Sequence, residues 1–313
     1  MIKYLVKRLL ALIPTVFVVL TILFFAMRLA PGDPVAVICG VECEAETIQA
    51  IRTRLGLDRP LYAQYLDFIV KAFRLDFGES WIYRRTTMEK VLKMFPHTLA
   101  LAGASILVSV AIGIPAGVIS AKKRNMFTDH LTMTLSMLGV SMPVFYFGIL
   151  LMLLFGVYLR WLPATQAGKF SNPVDYLKHL ILPAFALGFS NAAMTARITR
   201  SCMLDVLRQD YIRTAHAKGA WERRIIYRHA MRNAMIPVIT IVGMNFGFLL
   251  GGTVLAEFVF ARPGLGRVLI DATFGRDYPQ LQASVFFFSV VYLLINVAVD
   301  VLYTYLDPRI KYE

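Results

Sequence analysis

Few residues in this chain have both the type and the spacing to do chemistry. The five histidines, His97, His130, His179, His216 and His229, are scattered, and their intervals are unlike those of a metal site. No Ser, His and Asp set comes with a nucleophile motif, so the chain is not expected to catalyse a reaction. A nucleotide loop needs Gly, four residues, then Gly-Lys-Ser or Gly-Lys-Thr, because backbone amides cradle the phosphates and the hydroxyl holds magnesium. The nearest approach is Gly168-Lys169, and Phe170 stands where the hydroxyl would be. The chain is therefore expected to hold no cofactor and no metal, and ATP with magnesium would have to be bound by partner subunits. Cys39 and Cys43 are spaced for a disulfide if their compartment is oxidising, with two small loop residues as the alternative, while Cys202 is expected to be free.

These residues must be positioned by a very apolar chain. Its 313 residues are 58% hydrophobic, with mean hydropathy +0.61 and net charge +13. A soluble domain of this size is rarely so apolar. A helix needs about 20 apolar residues to cross a bilayer core. Six stretches meet that length, at 9–29, 98–121, 131–159, 180–199, 234–256 and 283–306. The first is too long an apolar run for a signal peptide and is read as a retained span. Lys3, Lys7, Arg8, Lys122, Lys123, Arg124, the arginines of 200–232, Arg309 and Lys311 fall on one side. The positive-inside rule puts that side, and both termini, in the cytoplasm. The basic charge is thus mainly topological, and the expected medium is a lipid bilayer with no nucleic acid partner. Within the spans the charges are almost confined to Arg197 and Asp300. A direct ion pair is one expectation; the others are Arg197 snorkelling to water and Asp300 facing a polar cavity.

The longest polar stretch between apolar runs in the second half is 209–237. Leu204, Leu207, Tyr211 and Ala215 recur at helical spacing, and Gly219 permits a turn after them. Arg224, Arg228 and Arg232 follow at four-residue intervals beside Trp221 and Ile225. Such a segment is either a solvated basic loop or a docking element for another protein. RTAHAKG (213–219) and RHAMRNAMIP (228–237) resemble the cytoplasmic loop of ABC-importer permeases of the dipeptide, oligopeptide and nickel group. So do LGLDRPLYAQY (55–65), GVSMPVF (139–145), EFVFARPGLGR (257–267) and the terminal DPRIKY. The resemblance implies that Tyr211, Arg213, Thr214, Ala215, His216, Lys218 and Gly219 dock an ATPase. The generic motif's glutamate is replaced by Arg213, and His216 stands where the subfamily usually has arginine.

Other positions carry paired readings. Gly243, Gly247 and Gly251 allow close helix packing or bare backbone along a pathway. Asn245 is a pathway candidate, because a polar amide in a span needs a partner or water. Ser141 and Met142, before Pro143, interrupt the third span and mark a kink or a gate hinge, with a possible place on the pathway. Glu257, Arg262, Pro263 and Gly264 form either a solvated external turn, with Glu257 pairing to Arg262 or Arg267, or, by resemblance, the external mouth.

The expected fold is all-α: one polytopic domain over 1–313, six spans, an external insertion at 30–96 and a cytoplasmic loop at 200–233. The insertion is too long for a bare connection and is expected to hold a short helix ending near Gly56. The resemblance implies half of the translocation pathway of a peptide-type importer. Its partners would be a second homologous permease, two ABC ATPase subunits and an external solute-binding protein. Nickel or a metallophore is the alternative cargo. A stand-alone secondary transporter is the rival class, and would need more ionisable groups in the spans.

Overall fold

The structure, a computed structural model, describes residues 2–29, 35 and 44–306; the side chains of 2–7, 9, 300 and 302–306 fall outside the description. Cys39 and Cys43 lie outside the described residues, and so does the side chain of Asp300. The disulfide and the Arg197–Asp300 pair therefore have no structural account. Among the described residues there is no strand, and Glu79 and Thr86 form an isolated antiparallel bridge.

The helices follow the apolar runs. They are α1 (Ile2–Leu29), α2 (Ala45–Arg54), α3 (Leu61–Phe73), α4 (Thr87–Lys122), α5 (Phe127–Ser141) and α6 (Val144–Leu151). A π-helical stretch, Met152–Tyr158, continues α6. After it come α7 (Pro173–Leu207) and α8 (Asp210–Ala217). A short turn, Glu222–Arg224, then leads through a second π-helical stretch, Ile225–Ala230, into α9 (Met231–Val259). Finally come α10 (Leu265–Phe274) and α11 (Tyr278–Leu306). Among the described residues, five helices are long and apolar enough to span a membrane, or six if α5 and the α6–Tyr158 stretch count as one broken span. The expected kink in that span is far sharper than a proline bend, since its halves meet at 105°. Met142 has left the helix at ψ 124°, and Pro143, lacking an N–H, starts a fresh one.

The chain divides into two units. The first comprises Met1–His97 and Pro263–Leu294. Leu20, Phe24, Phe68, Ala72, Phe77, Val91, Leu265 and Ala283 form its core. Phe24 stacks on Phe68 at 5.6 Å and meets Tyr65 edge-on at 5.4 Å. The long first loop is ordered by specific polar ties. Arg28 donates through Nε and Nη2 to Gln64 Oε1 at 3.0 and 2.6 Å. Ser80 Oγ and Ile82 N donate to Asp277 Oδ2 at 2.5 and 3.1 Å. The short helix expected before Gly56 is α2, and Gly56 ends it in the left-handed region at φ +66°.

The second unit comprises Thr98–Arg262 and Ile295–Glu313. Its centre is α7, which packs on α5, α6 and α9. Asn172 caps α7 by accepting from Asp175 N at 3.3 Å, with Pro173 at the first helical position. The closest packing pairs α4 with α7. A Cβ on Gly113 would stand 2.7 Å from Ala192 O, one on Gly117 2.5 Å from Ala196 O, and one on Gly188 2.6 Å from Ser105 O. Ser109 and Thr195 hydroxyls share a hydrogen bond of 3.1 Å across the same seam.

Candidate ATPase-docking arm

The polar stretch of the second half becomes an arm built on the end of α7. Arg208 and Gln209 interrupt the helix, so the apolar positions 204, 207, 211 and 215 do not share one continuous helix face. Ile212 is the anchor of α8, 1% exposed, in a cluster with Val118, Ala121, Met203, Ile225, Ile226, Ala230 and Ala234. Ala215 packs at the edge of this cluster, whereas Tyr211 is 42% exposed and its hydroxyl accepts from Asn233 Nδ2 at 2.8 Å. Arg213, Thr214, His216 and Lys218 are exposed. Gly219 closes α8 at φ +76°, with Gly219 N donating to His216 O at 2.9 Å and Ala220 N to Ala215 O at 3.1 Å. This is the paired bonding of a Schellman cap, which a left-handed glycine allows without strain.

Between α8 and the π stretch lies an open recess of about 1110 Å³. Lys218, Arg223, Arg224 and Arg228 give it positive charge, Trp221, Tyr227 and Tyr211 give it apolar surface, and none of its lining residues is acidic. Trp221 is 84% exposed and Tyr227 58%. A surface of this kind can seat a complementary protein segment with acidic and apolar side chains.

Beside the arm sits a feature that periodicity does not reveal. Asp129, in the first turn of α5, is 2% exposed. Arg200 of α7 grips it with both ends of its fork, Nε to Oδ1 at 2.6 Å and Nη2 to Oδ2 at 2.7 Å. Ser120 Oγ of α4 also donates to Oδ1, and Asn125 N donates to Oδ2 at 2.9 Å. One carboxylate thus joins α4, α5 and α7 where the arm begins. The sequence signal was slight: an acid among the few on a basic side.

The remaining candidates disperse. Arg197 is exposed and its Nη2 meets Met194 Sδ at 3.1 Å. Asn245 is half-buried in α9. Of the three spaced glycines, Gly243 approaches Val299, where a Cβ would stand at 3.0 Å; Gly247 is buried; Gly251 has open space. Small-residue packing of helix on helix is tight instead at Gly113, Gly117 and Gly188, of which Gly113 and Gly117 have the four-residue spacing. Ser141 is exposed at the break, and Met142 lines a cavity of about 30 Å³ there with Phe147 and Phe189.

At the opposite end of the unit, the solvated-turn reading fails. Glu257 lies inside α9, not after it, and is fully buried, accepting from Thr98 Oγ1 at 2.6 Å. Arg262 is also fully buried, its guanidinium 4.8 Å above the Tyr176 ring and its Nη1 3.5 Å from His179 O. Burial lowers the pKa of this guanidinium from its ordinary value. Arg267, in the first unit, lies 3.7 Å from Asp271. Pro263 and Gly264 lead into α10, with Gly264 extended at φ 172°.

Residues 113–312 match the family described as the inner membrane component of binding-protein-dependent transport systems, and residues 1–102 match its N-terminal companion. The chain belongs to this family. It is 45% identical over 313 residues to the glutathione transport system permease protein GsiC of Escherichia coli K12, covering 100% of both chains, and equally so to GsiC of Shigella dysenteriae. Inward-facing structures of the MetNI methionine ABC transporter share its fold at TM-score 0.57, with 16% identity, over 70% of this chain and 97% of that one. An amino acid ABC transporter chain does so at TM-score 0.53, with 13% identity, over 71% and 94%. This binding-protein-dependent permease is a multi-pass membrane subunit of an ABC importer.

Proposed function

We propose that this permease forms half of the pathway by which short peptides or glutathione-like solutes, delivered by an external binding protein, enter the cell. The observation that carries the reading is the docking arm: an apolar anchor turned inward, and a basic, aromatic recess turned outward. Full-length similarity to a glutathione permease supports the cargo class. A second homologous permease completes the pathway, and two ABC ATPase subunits bind ATP and magnesium and seat the arms. The basic side of the chain, with both termini, faces the cytoplasm. Nucleotide-driven closure of the ATPases pulls on the arms and moves the spans; hydrolysis resets them.

The test uses the complete transporter in proteoliposomes with the binding protein and glutathione or a dipeptide. A Cβ at Gly219 meets nothing within 4 Å, so the first atom of a side chain has room there, and a non-glycine residue costs about 1–2 kcal/mol of left-handed strain. Gly219→Trp is therefore expected to insert normally, yet to lose solute-stimulated ATP turnover and uptake. Normal turnover and uptake in that variant would overturn the docking role, and a permease that purifies with no ATPase would overturn the whole reading.

A further inference from the structure

We infer that Asp129 and Arg200 are positioning residues that make α5 and α7 move as one body, carrying displacement of the docking arm to the break at Met142–Pro143. The inference rests on the arm being pulled by an ATPase. The arm's own link to α7 is apolar, through Ile212 and Met203, both within 1% of full burial. Such contacts resist separation, but they do not define direction. The Asp129–Arg200 fork does define it, because two parallel charge-assisted bonds at 2.6 and 2.7 Å fix both angle and distance. A buried ion pair is poor evidence of added stability, since an apolar pair would serve that end as well. Its directional hold is what an apolar pair would lack.

A single attachment would leave a pivot. The structure supplies a second one about 15 Å farther along α5. There a Cβ on Gly139 would stand 2.9 Å from the Ala193 Cβ and 3.2 Å from the Phe189 ring of α7. Phe189 also meets Phe147 of α6, just past the break, with ring centroids 5.1 Å apart. Two attachments on one helix pair remove the pivot. A pull on the end of α7 then reaches the break as a displacement of α5 and is not lost in sliding between helices. Ser120 and Asn125 hold the other lone pairs of Asp129, so the end of α4 travels with the pair.

The experiment measures solute moved per ATP hydrolysed by the full transporter in proteoliposomes. Asp129→Asn keeps the shape and the acceptor for Ser120 but loses the charge; Arg200→Gln leaves the carboxylate with Ser120 and Asn125. Each is expected to lower uptake per ATP by about tenfold or more, a range typical of coupling interactions, while ATP turnover per assembled complex persists. Arg200→Lys should restore part of the ratio. A purely structural pair would lower the amount of assembled complex and leave the ratio untouched, which would overturn the inference. Failure of the docking reading looks different, because Gly219→Trp would then keep normal ATP turnover and uptake. A second measurement leaves the pair intact: spin labels at His130→Cys and Ser201→Cys, both exposed, with the native cysteines replaced by serine. Their separation should stay constant through the ATP cycle. A change of a helical turn, about 5 Å, would overturn the inference.

Discussion

Tyr83 is a single side chain whose surroundings leave a measurable mark. Its hydroxyl donates to Asp271 Oδ2 at 3.3 Å, and Lys90 Nζ lies 4.1 Å from its ring. Burial, then the Asp271 charge and hydrogen bond, push its phenol pKa up to about 12 from an ordinary 10.0. The neutral phenol is the form the fold prefers. Its contribution to stability is therefore complete below pH 10 and is lost as the pH rises through about 12. An ultraviolet titration should include a phenolate appearing about two units late, and Tyr83→Phe should remove that contribution; a titration unchanged by the substitution would refute the assignment. At this scale the sequence says least. Asp129 and Arg200 are 71 residues apart, and no local pattern announces a contact across that gap. Glu257 escapes the sequence for a related reason: a carboxylate beside a Pro-Gly turn reads as solvated, and the hydrogen bond from Thr98, 159 residues away, has no local signature.

Among the elements, the α4–α7 seam is the most exacting. Gly117 has no room for a side chain, since a Cβ would come within 2.6 Å of the Thr199 Cβ as well as 2.5 Å of Ala196 O, whereas Gly103 on the same helix has nothing within 4 Å. Gly117→Leu is expected to cost about 1–3 kcal/mol or to prevent assembly, as overpacking does, and Gly103→Leu to be near neutral. Thermal unfolding of the two purified variants checks this, and equal effects would refute the seam. Elements were well read where a physical signal is local. Bilayer-length apolar runs locate α1, α4, α7, α9 and α11, and a glycine at φ +76° marks the end of α8. The 105° break was read as an interruption but not as a corner, because proline forbids the helix without saying which way the chain leaves. The direction comes from the packing of α6 on α7 and α9.

For the whole molecule, the proposed orientation rests on charge asymmetry. Positions such as Trp221, 84% exposed, should react with an impermeant thiol reagent from the cytoplasmic side when changed to cysteine, and Tyr62, 71% exposed, from the outside. The reverse pattern would invert the topology. The fold class and span count were legible because a bilayer restricts backbone choices more severely than water does. The packing of the second unit was not, since helices in lipid choose partners by shape rather than by apolar content.

The π-helical stretch Ile225–Ala230 joins the arm to α9 without a loop. A π turn carries an added residue within an otherwise α-helical rod, and each residue of such a rod is worth about 100° of rotation. The azimuth of the basic recess about the long axis of α9 is therefore a matter of phase: losing one residue there would leave a sound helix, an intact span and an arm aimed about a quarter-turn away from its present bearing.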